Sequence, residues 1–146
     1  MKEHVARLLA EWGHHVEDFG TDSPDPVDYP DFIVPAAQAV ARGQSERGIV
    51  FGGSGNGEAM AANKVPGIRA ALCHDVTTAR LARQHNDANV LALGARIIGT
   101  EVAADIVRVF LDTAFEGGRH ARRVEKLGAL DGGRGARPGS REGGRG

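Results

Sequence analysis

The residues best placed to do chemistry lie in one glycine-rich stretch, Gly48 to Lys64, with the sequence GIVFGGSGNGEAMAANK. Its apolar start predicts a buried strand, and the residues after Gly57 predict a helix. Glycines let a backbone turn sharply and approach a ligand, and the N–H groups at a helix N-terminus attract negative charge. Ser54, Asn56 and Glu58 are the polar side chains of this loop. We therefore expect an active-site loop here.

Glu58 excludes two nucleotide-binding motifs at this loop. It stands where the dinucleotide fingerprint needs its third glycine and where the phosphate loop of nucleotide hydrolases needs lysine. A carboxylate at that point would repel a nucleotide phosphate. It could instead take a proton next to a carbonyl, while the N–H groups of the loop stabilise the resulting oxyanion. On spacing alone, an equal alternative is a first-turn acid that only complements the helix dipole.

Further candidates follow later in the chain. His85 ends a predicted helix, where a charge that complements the dipole is favoured over a general acid or base. Arg96 follows a strand end, where it could bind a phosphate or be an ordinary surface residue. Arg119 and Arg123 share a helical face, either as a phosphate clamp or as a solvated surface. Cys73 lies in a predicted strand and is interpreted as an inert core thiol.

Composition narrows the class of protein. The chain has 146 residues and a net charge of -1, so it suits one domain and does not favour nucleic acid as a partner. Its single cysteine excludes an internal disulfide and fits a reducing cytosol. No apolar run reaches the roughly 20 residues of a membrane helix, and no signal peptide is evident. The histidine pairs lack metal-ligand spacing. These features predict a cytoplasmic protein without a metal site.

Short strands and amphipathic helices alternate along the chain. Helical faces are predicted at Val5–Trp12, Phe32–Val40, Thr77–Gln84, Thr100–Thr113 and Arg119–Leu130, in addition to the helix after Gly57. Strands are predicted at Val16–Phe19, Ile49–Phe51, Ile68–Cys73 and Val90–Leu93, and a loop at Gly20–Pro30. This alternation predicts an α/β fold with a parallel sheet covered on both faces, whose ligands bind at the carboxyl ends of the strands. Residues 131–146 predict a disordered glycine- and arginine-rich tail after a domain of residues 1–130. An RNA-contacting tail is a minor alternative.

Several stretches, taken together and in order, resemble the ribose-5-phosphate isomerase B family, which includes galactose-6-phosphate isomerase subunits. The matching stretches are Asp28–Pro30, Gly52–Lys64, Gly67–Ala70, Ala82–Asn86, Asn89–Arg96 and Arg119–Arg123. The resemblance implies a three-layer, Rossmann-like fold and a cofactor-free aldose–ketose isomerase. It also implies interconversion of ribose 5-phosphate and ribulose 5-phosphate through a cis-enediolate, in the pentose phosphate pathway.

The resemblance also implies roles for individual residues. Glu58 is the base that moves a proton between C1 and C2, and Ser54 assists proton movement at the oxygens. His85 helps to open the sugar ring, and Asn86 contacts the sugar. The remaining substrate-binding residues are the enediolate-holding loop, Gly53, Gly55, Asn56 and Gly57, and the phosphate-binding arginines, Arg96, Arg119 and Arg123. Family members are dimers whose sites share residues of both subunits, so a homodimer is expected.

The chain departs from the family pattern in two places. Many members carry a cysteine base where this chain has Gly52, whereas a subgroup carries a glutamate at the position of Glu58, and this chain resembles that subgroup. The family also begins with a strand and an Asp-His pair that precede the first helix here. A misplaced start codon or a truncation is the leading explanation. The alternatives are an isomerase of galactose or allose 6-phosphate and a non-catalytic sugar-phosphate-binding remnant.

Overall fold

The computed structural model describes residues 1–20 and 28–136, with side chains up to Asp131. The described residues form six helices and three strands. The helices are α1 (Lys2–Glu11), α2 (Pro30–Ala41), α3 (Asn56–Asn63), α4 (Val76–Asn86), α5 (Thr100–Asp112) and α6 (Arg119–Ala136). The strands are β1 (Gly48–Gly52), β2 (Ala70–Leu72) and β3 (Val90–Gly94). None of these helices combines the length and the apolar character needed to cross a bilayer.

The strands form one parallel sheet in the order β1-β3-β2. The central strand, β3, is buried along its whole length because helices cover both faces of the sheet. One face packs Val5, Ile106 and Phe110 against Leu91 and Leu93 of β3. The other face packs residues of α2 and α3, such as Ile33 and Ala62, against Val90 and Ala92. The predicted three-layer α/β architecture is therefore confirmed.

The predicted strand Val16–Phe19 is wrong, because these residues form no regular structure. A short segment remains a strand only where a neighbouring backbone pairs with it, and no described strand does so here. Side-chain contacts hold this segment instead: Lys2 Nζ donates to Asp18 Oδ1 at 3.1 Å, and the Gly20 N–H donates to the same oxygen at 2.8 Å. Residues 21–27 of the predicted loop lie outside the described residues.

Helix ends differ from the predictions by a few residues. The N-cap of α5 is Gly99, and Val102 is 44% exposed, so the buried face of the helix includes Ala103 and Val107. The last helix, α6, continues past Leu130 to Ala136. Residues 131–136, predicted as the start of the disordered tail, are therefore helical, and residues 137–146 lie outside the described part of the chain.

A side chain forms hydrogen bonds with the backbone at the edge of β2. Asn63, at the end of α3, donates to the carbonyl of Ala70 at 3.0 Å and accepts from its N–H at 2.8 Å. Its amide thus copies the pairing of a neighbouring strand at the point where β2 begins. This contact fixes α3 against the sheet, and α3 carries the candidate base.

Candidate active site

The glycine loop lies at the carboxyl end of the sheet, as predicted. It begins where Gly52 of β1 is paired with Gly94 of β3. The N–H groups of Ala95 and Arg96 then donate to the carbonyls of Gly52 and Gly53 at 2.7 and 2.9 Å. Two consecutive backbone bonds therefore hold the loop against the residues that follow β3.

Gly55 makes the turn from the loop into α3. Its φ of +87° is left-handed, a conformation that glycine adopts without strain. A side chain there would also meet Leu72 and the backbone of Leu93. The helix begins one residue later, so helix geometry leaves the N–H groups of Gly57 and Glu58 without partners inside α3. These donors can hold a negatively charged oxygen in front of the loop.

Glu58 folds back over the end of β1. Its side chain is buried, and its carboxylate occupies the space that a β-carbon on Gly52 would fill. The absence of a side chain at Gly52 is therefore what makes room for the carboxylate. The cysteine base expected of many family members would stand at this same position, so the Glu58 carboxylate lies in the region where that thiol is expected.

Cys73 does not serve as a substitute base. It follows β2 at the far side of β3 from β1, and it is buried at 1% exposure. Burial raises the pKa of its thiol, which keeps the thiol protonated. This placement agrees with the prediction of an inert core thiol. Cys73 itself lies one residue beyond the end of β2, whereas the sequence predicted it within the strand.

Three more side chains border the loop. Arg96 lies along Gly53, with its Nε 3.4 Å from the position of a β-carbon there. Ser54 is exposed, and its hydroxyl accepts from the N–H of Asn56 at 3.2 Å, so it steadies the loop while remaining open to a ligand. Tyr29 lies over Gly57, with its hydroxyl 2.6 Å from the β-carbon position. The sequence gave Tyr29 no role. Its position could have indicated one, because an aromatic residue stands directly before Pro30, the first residue of α2.

A second group of predicted site residues lies at the opposite edge of the sheet. Since β2 and β3 are parallel, α4 must run back from the carboxyl end of β2 to the amino end of β3. His85 and Asn86 end α4 and therefore lie at the amino edge. Arg119 and Arg123 lie there too, because the backbone N–H of Glu116, just before α6, donates to the carbonyl of Gln84 at 3.0 Å.

His85 contacts two neighbours at this edge. Its ring stacks on that of His120 with 4.2 Å between ring centres and 13° between ring planes. The Nε2 atoms of His85 and His120 lie 3.9 and 3.7 Å from one Glu116 carboxylate oxygen. Burial lowers the pKa of His120, and the charges of His85 and Arg119 lower it further, while Glu116 raises it. The sequence placed His120 only in a basic cluster with Arg119 and Arg123, and it gave Glu116 no role.

A charged network fixes the end of α4 behind His85. Arg83 is buried and donates to Asp87 Oδ1 at 2.9 Å, to the Ala88 carbonyl at 2.6 Å and to the Thr113 carbonyl at 3.0 Å. Arg69 Nε donates to the Asp87 carbonyl at 2.8 Å. Asp87 has a left-handed φ of 47°, which ends α4 directly after His85 and Asn86.

The predicted site residues thus form two half-sites at opposite edges of the sheet. The five residues of β3 span roughly 15 Å at about 3.3 Å per residue. The carboxyl-edge half-site consists of Gly53, Ser54, Gly55, Asn56, Gly57, Glu58 and Arg96. The amino-edge half-site consists of His85, Asn86, Arg119 and Arg123. Within one chain the fold does not bring them together.

Replacing Gly52 by alanine should test the position of the Glu58 carboxylate. The new β-carbon would displace that carboxylate, which lies at the end of a flexible side chain, so the fold should persist. We expect catalytic turnover to fall by about 10²-fold, since a displacement of roughly 1 Å can have that effect. Gly99→Ala is the matched control, because a β-carbon there meets no atom of the described residues within 4 Å. Equal activity of the two variants would contradict this placement.

Comparison with known proteins assigns the chain to a family. Residues 1–127 match the family model described as Ribose/Galactose Isomerase. Ribose-5-phosphate isomerase B of Escherichia coli is 45% identical over 90% of this chain and 88% of its own length. D-erythrulose-4-phosphate isomerase of Pectobacterium atrosepticum is 45% identical over 88% of this chain and 85% of its own length. The solved structure of Clostridium thermocellum ribose-5-phosphate isomerase B superposes with a TM-score of 0.87 at 52% identity, covering 89% of this chain and 88% of that one. The chain belongs to the ribose/galactose isomerase family.

Proposed function

We propose that this protein is an aldose–ketose isomerase that interconverts ribose 5-phosphate and ribulose 5-phosphate. One observation carries the proposal: a buried carboxylate, that of Glu58, belongs to the first turn of α3, where helix geometry leaves the N–H groups of Gly57 and Glu58 without partners inside the helix. A base and oxyanion donors in one place are what proton transfer next to a carbonyl needs. The resemblance of residues 1–127 to the ribose/galactose isomerase family supports the same reaction.

In the proposed mechanism, Glu58 removes the proton from C2 of the open-chain aldose. The electrons form a C1–C2 double bond, and the negative charge moves onto O1 of the cis-enediolate. The N–H groups of Gly57 and Glu58 stabilise that charge, and Ser54 helps to move the hydroxyl proton from O2 to O1. Glu58 then returns its proton to C1, which gives the ketose. Each atom of the substrate is retained, so the protein's own side chains suffice and we propose no cofactor.

The amino-edge half-site would complete this centre. His85 would help to open the sugar ring, Asn86 would contact the sugar, and Arg119 and Arg123 would bind the phosphate together with Arg96. Arginines suit this role because their charge-assisted bonds anchor the non-reacting end of a ligand. Since these residues lie at the edge opposite Glu58, we infer that a second copy supplies them.

In a homodimer, each copy would supply its amino-edge half-site to the Glu58 loop of the other. If the carboxyl edge of one copy faces the amino edge of the other, a two-fold axis creates a second, identical site. Met60 on α3 is 66% exposed and borders a groove of about 420 Å³ with Leu72 and Asn56. This groove begins next to the glycine loop, so a second copy docked there would also cover apolar surface.

A four-carbon sugar phosphate is the second candidate substrate. The relatives that are named for ribose 5-phosphate and for D-erythrulose 4-phosphate are equally similar to this chain, at 45% identity. The chemistry at C1 and C2 would be the same for both, so only the length of the sugar would differ.

We also place the protein in the cytoplasm, where phosphorylated sugars are metabolised; the lack of a membrane-spanning helix in the described residues is compatible with this.

The test is an NMR assay of the purified protein with ribose 5-phosphate in D₂O. We expect ribulose 5-phosphate to form, with deuterium entering at the carbon to which the base returns its proton. Parallel assays with D-erythrulose 4-phosphate and with galactose and allose 6-phosphates would rank the substrates by kcat/KM. A folded protein that turns over none of them would overturn the proposal and would favour a non-catalytic binding protein.

A further inference from the structure

Two histidines and a glutamate at the amino edge converge on one point. The Nε2 atoms of His85 and His120 and a carboxylate oxygen of Glu116 lie within 4.8 Å of one another. Two histidine nitrogens and one carboxylate oxygen are the protein ligands of many catalytic zinc sites, in which the fourth position stays open for water or substrate. The sequence predicted no metal site, because His85 lies 31 and 35 residues before the other two ligands, and only the fold brings them together.

The distances are close to those that a bound ion requires. Tetrahedral zinc with bonds of about 2.0–2.2 Å separates its ligand atoms by roughly 3.3 Å. The nitrogen–oxygen separations here are 3.7 and 3.9 Å, so a contraction of about half an ångström would bring each nitrogen to that spacing from the oxygen. All three ligand atoms lie within 4.8 Å of one another, so the two nitrogens must approach each other by at most about 1.5 Å. The gap is small compared with the reach of a rotating side chain.

One adjustment is needed before an ion can bind. The planes of the stacked rings are 13° from parallel, so their nitrogen lone pairs lie in two nearly parallel planes and do not converge. One ring must turn for both lone pairs to meet an ion. His85 and Glu116 can move, because their side chains are 38% and 51% exposed, whereas His120 is held at 11% exposure. The cluster therefore has one fixed ligand and two adaptable ones.

We propose that His85, Glu116 and His120 form an inhibitory binding site for Zn²⁺ or a similar divalent transition-metal ion. Zinc binding does not depend on the isomerase activity, but the inhibition rests on the proposed function. An ion held by His85 removes that side chain from ring opening and blocks the sugar. Arg119 and Arg123 are nearby cations that weaken the site, so we expect reversible binding, not a permanent structural metal.

The binding test is a titration of the full chain with Zn²⁺ by calorimetry and with Co²⁺ by visible absorption. We expect one ion per chain. Glu116→Gln and His120→Asn should each weaken binding by about tenfold or more, since even indirect partners of a metal site contribute 10–100-fold. The matched control, His14→Gln with His15→Gln, removes two adjacent exposed histidines from another part of the surface and should change nothing.

Glu116→Gln keeps this test decisive if His120→Asn does not fold, because Glu116 is exposed and its change is isosteric. Binding that persists unchanged in Glu116→Gln, binding that disappears in the control, or no binding to the parent chain would each overturn the site. Zinc should also raise the Tm of the parent by mass action, and it should do so less in Glu116→Gln.

The activity test adds Zn²⁺ to the isomerase assay. We expect competitive inhibition that a chelator reverses and that is weaker in Glu116→Gln. Zinc binding without inhibition would overturn the inhibitory role and leave the site standing. If the parent has no isomerase activity but binds zinc at this cluster, the proposed function fails and the metal site does not.

Discussion

Replacing Glu58 by glutamine should lower kcat by about 10³-fold, within the range by which a positioned base accelerates proton transfer. Glutamine has the same shape and fits the space above Gly52, but its amide cannot accept a proton from carbon. The N–H groups of the loop and the arginines would still bind the sugar phosphate. We therefore expect KM to stay within a few-fold of the parent value while turnover collapses.

The matched control for this variant is Glu101→Gln. Glu101 is the first-turn acid of α5 and begins a helix at the same edge of the sheet. If Glu58 only complements a helix dipole, both variants should lose a similar stability of about 0.3–1 kcal/mol and keep full activity. Steady-state kinetics and thermal unfolding of the two proteins separate these cases. Full turnover by Glu58→Gln would show that Glu58 is not the base.

Replacing Asp87 by alanine should destabilise the protein by about 3 kcal/mol, or roughly 10 °C in Tm for a chain of this size. Two effects add. Arg83, whose side chain is only 4% exposed, loses its carboxylate partner. Alanine must also adopt the left-handed φ of 47° that Asp87 has, which it does less readily than aspartate. Differential scanning calorimetry measures the combined loss.

Two further variants separate these effects. Asp87→Asn keeps a side chain that tolerates the left-handed conformation and removes only the charge. Asp87→Gly relieves the conformation and removes the whole side chain. We expect both to be more stable than Asp87→Ala, with asparagine the more stable of the two. An Asp87→Ala protein as stable as Asp87→Asn would contradict the role given to the backbone conformation.

The sequence was sufficient to predict the fold class and the position of the loop. Four short strands between helices predicted a parallel sheet, of which three are present, and the glycines after β1 predicted a loop at the carboxyl end of that sheet. The mismatch of Glu58 with two nucleotide motifs identified the candidate base. Its relation to Gly52 could not be predicted, because a glycine in a loop has many uses and only the folded structure shows which side chain fills its space.

Other features depend on contacts between distant parts of the chain. Val16–Phe19 has the composition of a strand, but a strand exists only where another backbone pairs with it. The stack of His85 on His120 joins the end of α4 to the start of α6, and no local pattern encodes it. Arg83 and Asp87 have the helical spacing i, i+4, which is common. This pair is important because Arg83 is buried and because Asp87 has a left-handed φ.

If Glu58 of one copy acts together with Arg119 and Arg123 of another, mixing two inactive variants should restore activity. Glu58→Gln lacks the base, and Arg119→Met with Arg123→Met lacks the phosphate-binding pair. When the two proteins are unfolded together and refolded, each mixed dimer has one site with all the changes and one with none. Half of the dimers should be mixed, so we predict recovery of roughly a quarter of the parent activity. A mixture no more active than its two components would contradict a site shared between copies.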